Sequence, residues 1–237
     1  MNLGTSRLYK FALEIYFQFK PHSTKDFEGY WANRKSGKDW HFKQTDWLDG
    51  YWKSIDHPHR KLLVDTIMKY EPKSVLELGC NVGINLELVN RRSPKTLCLG
   101  IDINEDCIKY GIEKYHFKDK NNNIWLLNYP IDRLYKLRSM RFDVVFSDAS
   151  LIYIGEDKIN TVFEQIGLRT TKAVVFLERH LPNGDGKSVY KDGLWNRNYV
   201  KLIREYLPEF NNIKETKITK DIWSEWLENG YIIDAWR

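Results

Sequence analysis

The stretch Val75-Leu76-Glu77-Leu78-Gly79-Cys80-Asn81-Val82-Gly83 gathers residue types that bind as well as pack. An apolar run that reads as a buried strand meets a glycine-containing turn, and a helical pattern starts directly after it. Gly79 permits a sharp backbone turn, and Gly83 lets a ligand approach the start of the helix. The spacing is Gly-x-x-x-Gly, which differs from the Gly-x-Gly-x-x-Gly of dinucleotide pyrophosphate sites. Glu77 would repel a pyrophosphate there and suits a cation, such as an ammonium or a sulfonium group. Asp102 stands 25 residues beyond Glu77 and closes a second apolar run, Leu99-Gly100-Ile101. A carboxylate at that strand tip can accept bonds from two ribose hydroxyls. Either carboxylate alone could be structural, one in a turn and one at a helix start. The pair, at the ends of two strands, points to a nucleoside that carries a sulfonium.

A second cluster, Asp56-His57-Pro58-His59-Arg60, precedes the helix that leads into the first strand. One reading makes it a helix start, with Asp56 or His57 as cap, Pro58 in the first turn and Arg60 pairing on the surface. The other places it at the cleft, with Arg60 holding a ligand carboxylate and His57 or His59 acting as a base. The histidines lack metal-ligand spacing, and no metal is expected.

The elements that must position these groups alternate. Strands are predicted at 74–78, 96–101, 123–127, 142–147 and 173–177. Helices are predicted over 58–70, 84–91, 105–115, 157–168 and 195–206, which is the pattern of a parallel sheet with crossovers. The last two strands, 213–219 and 231–236, are joined by a link too short for a parallel crossover, so they form an antiparallel pair. Residues 1–60 hold 13 of the 34 aromatic residues and differ in kind from the rest. The expected organisation is a helical, aromatic-rich N-terminal extension over 1–60 and an α/β body over 61–237.

The first turn, Glu77 to Gly83, the second strand end, Gly100-Ile101-Asp102, and the fourth strand, Phe142-Asp143-Val144-Val145-Phe146-Ser147-Asp148, resemble the motifs of class I S-adenosylmethionine-dependent methyltransferases. That resemblance covers about residues 60–237. It departs from the commonest first motif at Asn81, where glycine is usual, but Asn tolerates a left-handed backbone. It implies a Rossmann-like α/β fold with a seven-stranded, mostly parallel sheet whose last strand is antiparallel. It implies S-adenosylmethionine as cofactor and S-adenosylhomocysteine as product. Glu77, Gly79, Cys80, Asn81 and Gly83 would surround its methionine part, with Arg60 on the carboxylate. Asp102 and Ile103 would take the ribose side, Asn128 or Tyr129 the adenine, and Ser147 or Asp148 the neighbourhood of the sulfonium.

A narrower resemblance rests on His57-Pro58-His59-Arg60, the turn through Leu86, and Leu151-Ile152-Tyr153-Ile154. It is to methylases found with nonulosonic (pseudaminic) acid biosynthesis, in which the position of Tyr153 is usually His. It implies a sugar-derived acceptor and adds Tyr153 to His57 and His59 as catalytic candidates. On the substrate side the candidates are Trp31, Trp40, His41, Trp52 and His180, most of them from an extension that is either a lid or a cap.

The charge balance narrows the partner. With 37 basic and 32 acidic side chains the chain carries a net charge of +5 and a pI near 8.9. That is short of a dedicated nucleic-acid binder. Neither an Asn-Pro-Pro-Tyr nor an Asp-Pro-Pro-Tyr segment follows the fourth strand, where Ser147-Asp148-Ala149-Ser150 stands. A small-molecule substrate methylated at oxygen is therefore expected first, RNA ribose or terminal phosphate second, and a catalytically silent binding protein third. No stretch has the roughly 20 apolar residues of a membrane span. Three unclustered cysteines read as a reduced, cytoplasmic protein.

Overall fold

The computed structural model describes residues 24–37, 46–116, 123–137, 139–183, 188–191 and 194–237. Five strands, β1 (Ser74–Leu78), β2 (Leu97–Asp102), β3 (Ile124–Asn128), β4 (Phe142–Asp148) and β5 (Thr170–Arg179), run parallel. After a small hairpin of β6 (Val189–Lys191) and β7 (Leu194–Asn196), β8 (Asn212–Lys217) and β9 (Gly230–Trp236) complete the sheet. The order is β3-β2-β1-β4-β5-β9-β8, with β9 antiparallel to both β5 and β8. This is the seven-stranded, mostly parallel sheet that the sequence implies. Its chain order reverses between β1 and β4, and in such sheets the ligand crevice opens there, beyond the strand ends.

Helices cover both faces, which is why β1 has no alternating polar side. Val75 packs towards α3 (Pro58–Met68) and α4 (Ile84–Arg92), while Leu76 and Leu78 pack on the opposite side with α6 (Glu156–Arg169) and α7 (Tyr199–Tyr206). Helix α5 (Glu105–His116) joins the first group through Ile108. The expected helix over 195–206 starts later, at Tyr199. Leu194–Asn196 instead pairs with Val189–Lys191, Trp195 is buried against Tyr190, and the Asn198 side chain caps the helix by accepting from the Lys201 amide at 2.9 Å.

Two helices of the N-terminal extension are described, α1 (Thr24–Asn33) and α2 (Trp47–Lys53). Trp47 and Leu48 of α2 are buried against Val82, Ile84 and Cys107, beside the glycine turn. The Asn104 side chain donates to the carbonyls of Trp31 and Arg34, and its own oxygen accepts from the Cys107 amide. One asparagine thus ties the end of α1 to the start of α5.

Candidate active site

The turn after β1 is held open by two left-handed residues that sequence reading anticipates, Gly79 (φ 71°) and Asn81 (φ 51°). The Gly79 and Cys80 amides both donate to the Ile101 carbonyl at 2.9 Å, which locks the end of β1 to the end of β2. Asp102 completes the tie. One of its oxygens accepts from the Asn81 amide and the other from the Asn104 amide, each at 2.8 Å. Gly83, also left-handed at φ 78°, starts α4.

A cavity of about 590 Å³ opens over this turn. Glu77, Gly79, Cys80, Asn81, Asp102 and Ile103 line its floor, with Asp148 and Ser150 from the β4 end. Phe27 and Trp31 of α1 close one side, and Trp223 and Trp226 from the link between β8 and β9 close another. Tyr153 lies inside, with its ring centroid 5.1 Å from Trp31 and 5.9 Å from Phe27. Burial raises the Tyr153 hydroxyl above the ordinary phenol value, so it stays protonated at neutral pH.

Beneath the floor runs a buried polar network around Asp148. Its Oδ2 accepts from Arg60 at 3.2 Å and from Asn85 Nδ2 at 3.0 Å, and lies 3.2 Å from His59 Nε2. Arg60 also donates to Asn85 Oδ1 and to the carbonyl and hydroxyl of Ser54. Asn85 in turn donates to Glu77 Oε1 at 2.8 Å. Burial pushes the Asp148 carboxyl up, but His59, Arg60 and Asn85 outweigh it and hold the group well below the usual carboxylate range. Glu77 goes the other way. Burial raises it well above its ordinary value, and the Asn85 bond only partly opposes this.

Two carboxylate oxygens of this network, Glu77 Oε2 and Asp148 Oδ1, are buried with no donor among the described residues. Arg60, the cation of the lining, has most of its donors engaged by Ser54, Asn85 and Asp148. A ligand with positive charge and N–H donors satisfies both oxygens. A sulfonium amino acid has that chemistry, so the residues present fit the expected cofactor.

The other sequence candidates divide. His57, His59 and Arg60 reach the cavity, and Arg60 is only 5% exposed, so it forms a buried ion pair and not a surface one. His57 stands at the start of α3 but makes no side-chain cap bond. Ser147 lies outside the lining, fully buried, with its hydroxyl donating to Glu178 at 2.7 Å. Asn128 folds its amide back onto the carbonyls of Asp102 and Ile103, and the Tyr129 hydroxyl donates to the Arg133 carbonyl. Pro130, Ile131 and Asp132 line the cavity in their place. Gly83 also stays outside the lining, one residue before Ile84. Trp52 turns away to pack on Tyr110 beneath Lys114. His180 is fully buried between the Tyr199 amide, which donates to it, and Glu215. Trp40 and His41 lie outside the described residues. Sequence reading missed Asn85, Ser54 and Trp223. Asn85 was the most legible of them, a polar residue at the second position of a helix that starts at the ligand turn.

Over residues 75–171 the sequence matches the family model for the methyltransferase domain. Residues 75–171 are a methyltransferase domain. The sheet has the strand order of the class I methyltransferase fold. Among solved structures, the plantazolicin methyltransferase BpumL in complex with SAH is similar over 99% of both chains, at 12% identity and a TM-score of 0.60. Magnesium protoporphyrin IX methyltransferase from Synechocystis PCC 6803, with bound SAM, is similar over 96% of both chains, at 15% identity and a TM-score of 0.55. An O-methyltransferase family protein from Burkholderia thailandensis shares 13% identity over 80% of this chain, at a TM-score of 0.60, and the chain spans 59% of that protein's length. At these identities the likeness establishes the fold. No curated protein matches the chain in sequence.

Glu178 on β5 shapes the loop that carries Ser150. Its oxygens accept from the Ser147 hydroxyl and from the amides of Ser150, Leu151 and Ile152. Burial pushes its carboxyl up to about 7 even so. Glu178→Ala strands four donors, and a buried unsatisfied group costs about 1–3 kcal/mol. A stability loss of about 3 kcal/mol or more is expected on that basis, measured by urea unfolding at pH 6. Among the described residues no helix is long and apolar enough to cross a membrane, and no cluster of three metal-ligating side chains occurs.

Proposed function

We propose that the methyltransferase transfers the cofactor's methyl group to an oxygen of a small, polar, sugar-derived acceptor bound in the cavity between α1 and the link from β8 to β9. S-adenosylmethionine, when bound, supplies an already activated methyl group, so the chain has to align the acceptor and accept its proton. Glu77 and Asp148 face the charged end of the cofactor, Asp102 the ribose, and the backbone of Gly79–Asn81 the methionine part. Arg60 aligns the carboxylates and keeps a remaining N–H for the cofactor's own carboxylate. The observation that carries the reading is the aromatic lining of the cavity. Its aromatic walls are Trp31, Tyr153, Trp223 and Trp226, a volume of about 590 Å³ lies within the range of small-molecule sites, and His57 stands at its edge. The buried indole N–H of Trp31 has no acceptor among the described residues, and an acceptor hydroxyl would satisfy it. The described part of the extension, α1 and α2, acts as a cap on the body, a role supported by the packing of Trp47 and Leu48. A cytoplasmic setting fits the three cysteines, which are free and buried.

The test is a transfer assay with radiolabelled S-adenosylmethionine, offered a small-molecule cell extract and, separately, total RNA. Label in a low-molecular-weight product is expected. Label entering RNA alone, or a protein that binds the cofactor and labels nothing, would overturn the proposal. The cofactor assignment has its own check. Asp102→Ala should weaken cofactor binding by about 1.5–3 kcal/mol, the scale of hydrogen bonds to a charged group, by calorimetric titration.

A further inference from the structure

His57 and His59 approach each other through Nδ1 atoms 2.5 Å apart. A single proton fits between two such nitrogens, so one ring donates and the other accepts. The second nitrogen of His59 bears on which. His59 Nε2 lies 3.2 Å from Asp148 Oδ2, and Arg60 and Asn85 on the same oxygen keep that carboxyl ionised and accepting. His59 Nε2 therefore carries a proton. When that is the ring's only proton, the proton between the rings belongs to His57 Nδ1, and the lone pair of a neutral His57 lies on Nε2, the nitrogen away from His59.

The arrangement is braced. Trp223 stacks on His59 with centroids 4.2 Å apart and planes at 20°, and meets His57 edge-on at 5.5 Å. Trp226 stacks on the far side of Trp223 at 4.6 Å. The charged groups facing His57 are Arg60 from its own helix, Asp148 from β4 and Glu225 from the link, with His59 beside it. Desolvation above all, with the Arg60 guanidinium adding to it, lowers His57 below the ordinary imidazole value, so it is neutral at pH 7.

We propose that His57 Nε2 takes the proton of the acceptor hydroxyl, and that His59 and Asp148 are positioning residues that hold His57 in the Nδ1–H tautomer and share the charge it gains. The inference rests on the hydroxyl-acceptor reading above. As the acceptor O–H bond breaks, its proton passes to His57 Nε2. The oxygen lone pair forms the bond to the methyl carbon, and the electron pair of the broken carbon–sulfur bond stays on sulfur. The imidazolium then shares its new charge through Nδ1 with His59 and Asp148, and releases one proton to water.

Nitrogen-15 NMR of the imidazoles tests this on the whole protein, without an acceptor. At pH 7.5 His57 should show a protonated Nδ1 and an unprotonated Nε2, and His59 the reverse pattern. His59→Gln should let a protonated Nε2 appear on His57, a change that a merely structural role would not produce. Trp223→Leu, which leaves both imidazoles, Asp148, Arg60 and Asn85 in place, should broaden the same signals towards a tautomer mixture. A wild-type His57 protonated on Nε2, or a His57 tautomer unmoved in His59→Gln, would overturn the relay. With an acceptor in hand, His57→Gln should lower kcat by about 10²–10⁴, the range of general base catalysis, with cofactor affinity unchanged. A normal tautomer pattern in a protein that labels no small molecule would instead count against the hydroxyl-acceptor reading and leave the relay geometry standing.

Discussion

Gly79→Val is expected to abolish measurable cofactor binding, a loss of more than about 100-fold, equivalent to about 3 kcal/mol. Gly79 sits at φ 71°, a conformation that a β-branched residue adopts only under strain. A Cβ built there would overlap the Ser150 side chain, whose hydroxyl donates to the Gly79 carbonyl at 3.1 Å. Two adjustments are open to the variant, and both damage the site. Either the turn rotates and breaks the paired amide bonds to Ile101, or the Ser150 loop moves off the cavity floor. The backbone strain alone costs about 1–3 kcal/mol of stability. Calorimetric titration with S-adenosylhomocysteine, paired with thermal unfolding, separates the two losses. A variant that binds within a few-fold of wild type would remove the turn from the cofactor site.

Asp148→Ala should be the most damaging single substitution for the fold. Asp148 gathers Arg60, His59 and Asn85 on one oxygen, and its side chain and that of Arg60 are 8% and 6% exposed. Deleting the carboxylate leaves a buried guanidinium without its counter-charge, for which about 3–5 kcal/mol is the usual cost. The pH dependence has a definite sign. The Asp148 carboxyl is held below the range of an unfolded aspartate, so its contribution is complete above about pH 4 and is lost as pH falls through its lower folded value. Denaturant titrations should show the full gap between wild type and variant at pH 7 and a narrower gap at pH 3. A gap of equal size at both would mean that the pair contributes by shape and not by charge. Asp148→Asn, which keeps the shape, should fold more readily yet still lose the charge-dependent part.

Much of the site was legible in the sequence because it is local. β1 was predicted with its observed bounds, since a run buried on both faces and ended by glycine has few alternatives. The left-handed turn at Asn81 and the placement of Asp102 at the tip of β2 follow from residue type and strand position. The antiparallel pairing of β8 with β9 follows from the shortness of their link. Helix α3 announces itself with Pro58 at its first turn. Trp195 shows the limit of this logic. Its neighbourhood is compatible with a helix, yet a buried hairpin contact claims it and the Asn198 cap sets the start of α7 later.

The tertiary structure decided which polar groups meet. Asp148 and His59 are 89 residues apart, and Asp148 and Asn85 are 63 apart. The register of β1 against β4, with Leu78 opposite Ser147, brings the ends of both strands to one level of the sheet, where α3 and α4 start. Nothing in the local pattern distinguishes Arg60 on a surface from Arg60 inside a buried network, because helix periodicity specifies a face but not what will cover it. The same holds for Trp223. An aromatic residue in a short link carries no sign of its target, and only the packing of the β8–β9 link over α3 puts its ring on His59. The sequence by itself determined the strand ends, the turn and the carboxylates that suit a sulfonium cofactor. The fold determined the network of His57, His59, Arg60, Asn85 and Asp148, because it is made of side chains brought together by sheet register and burial.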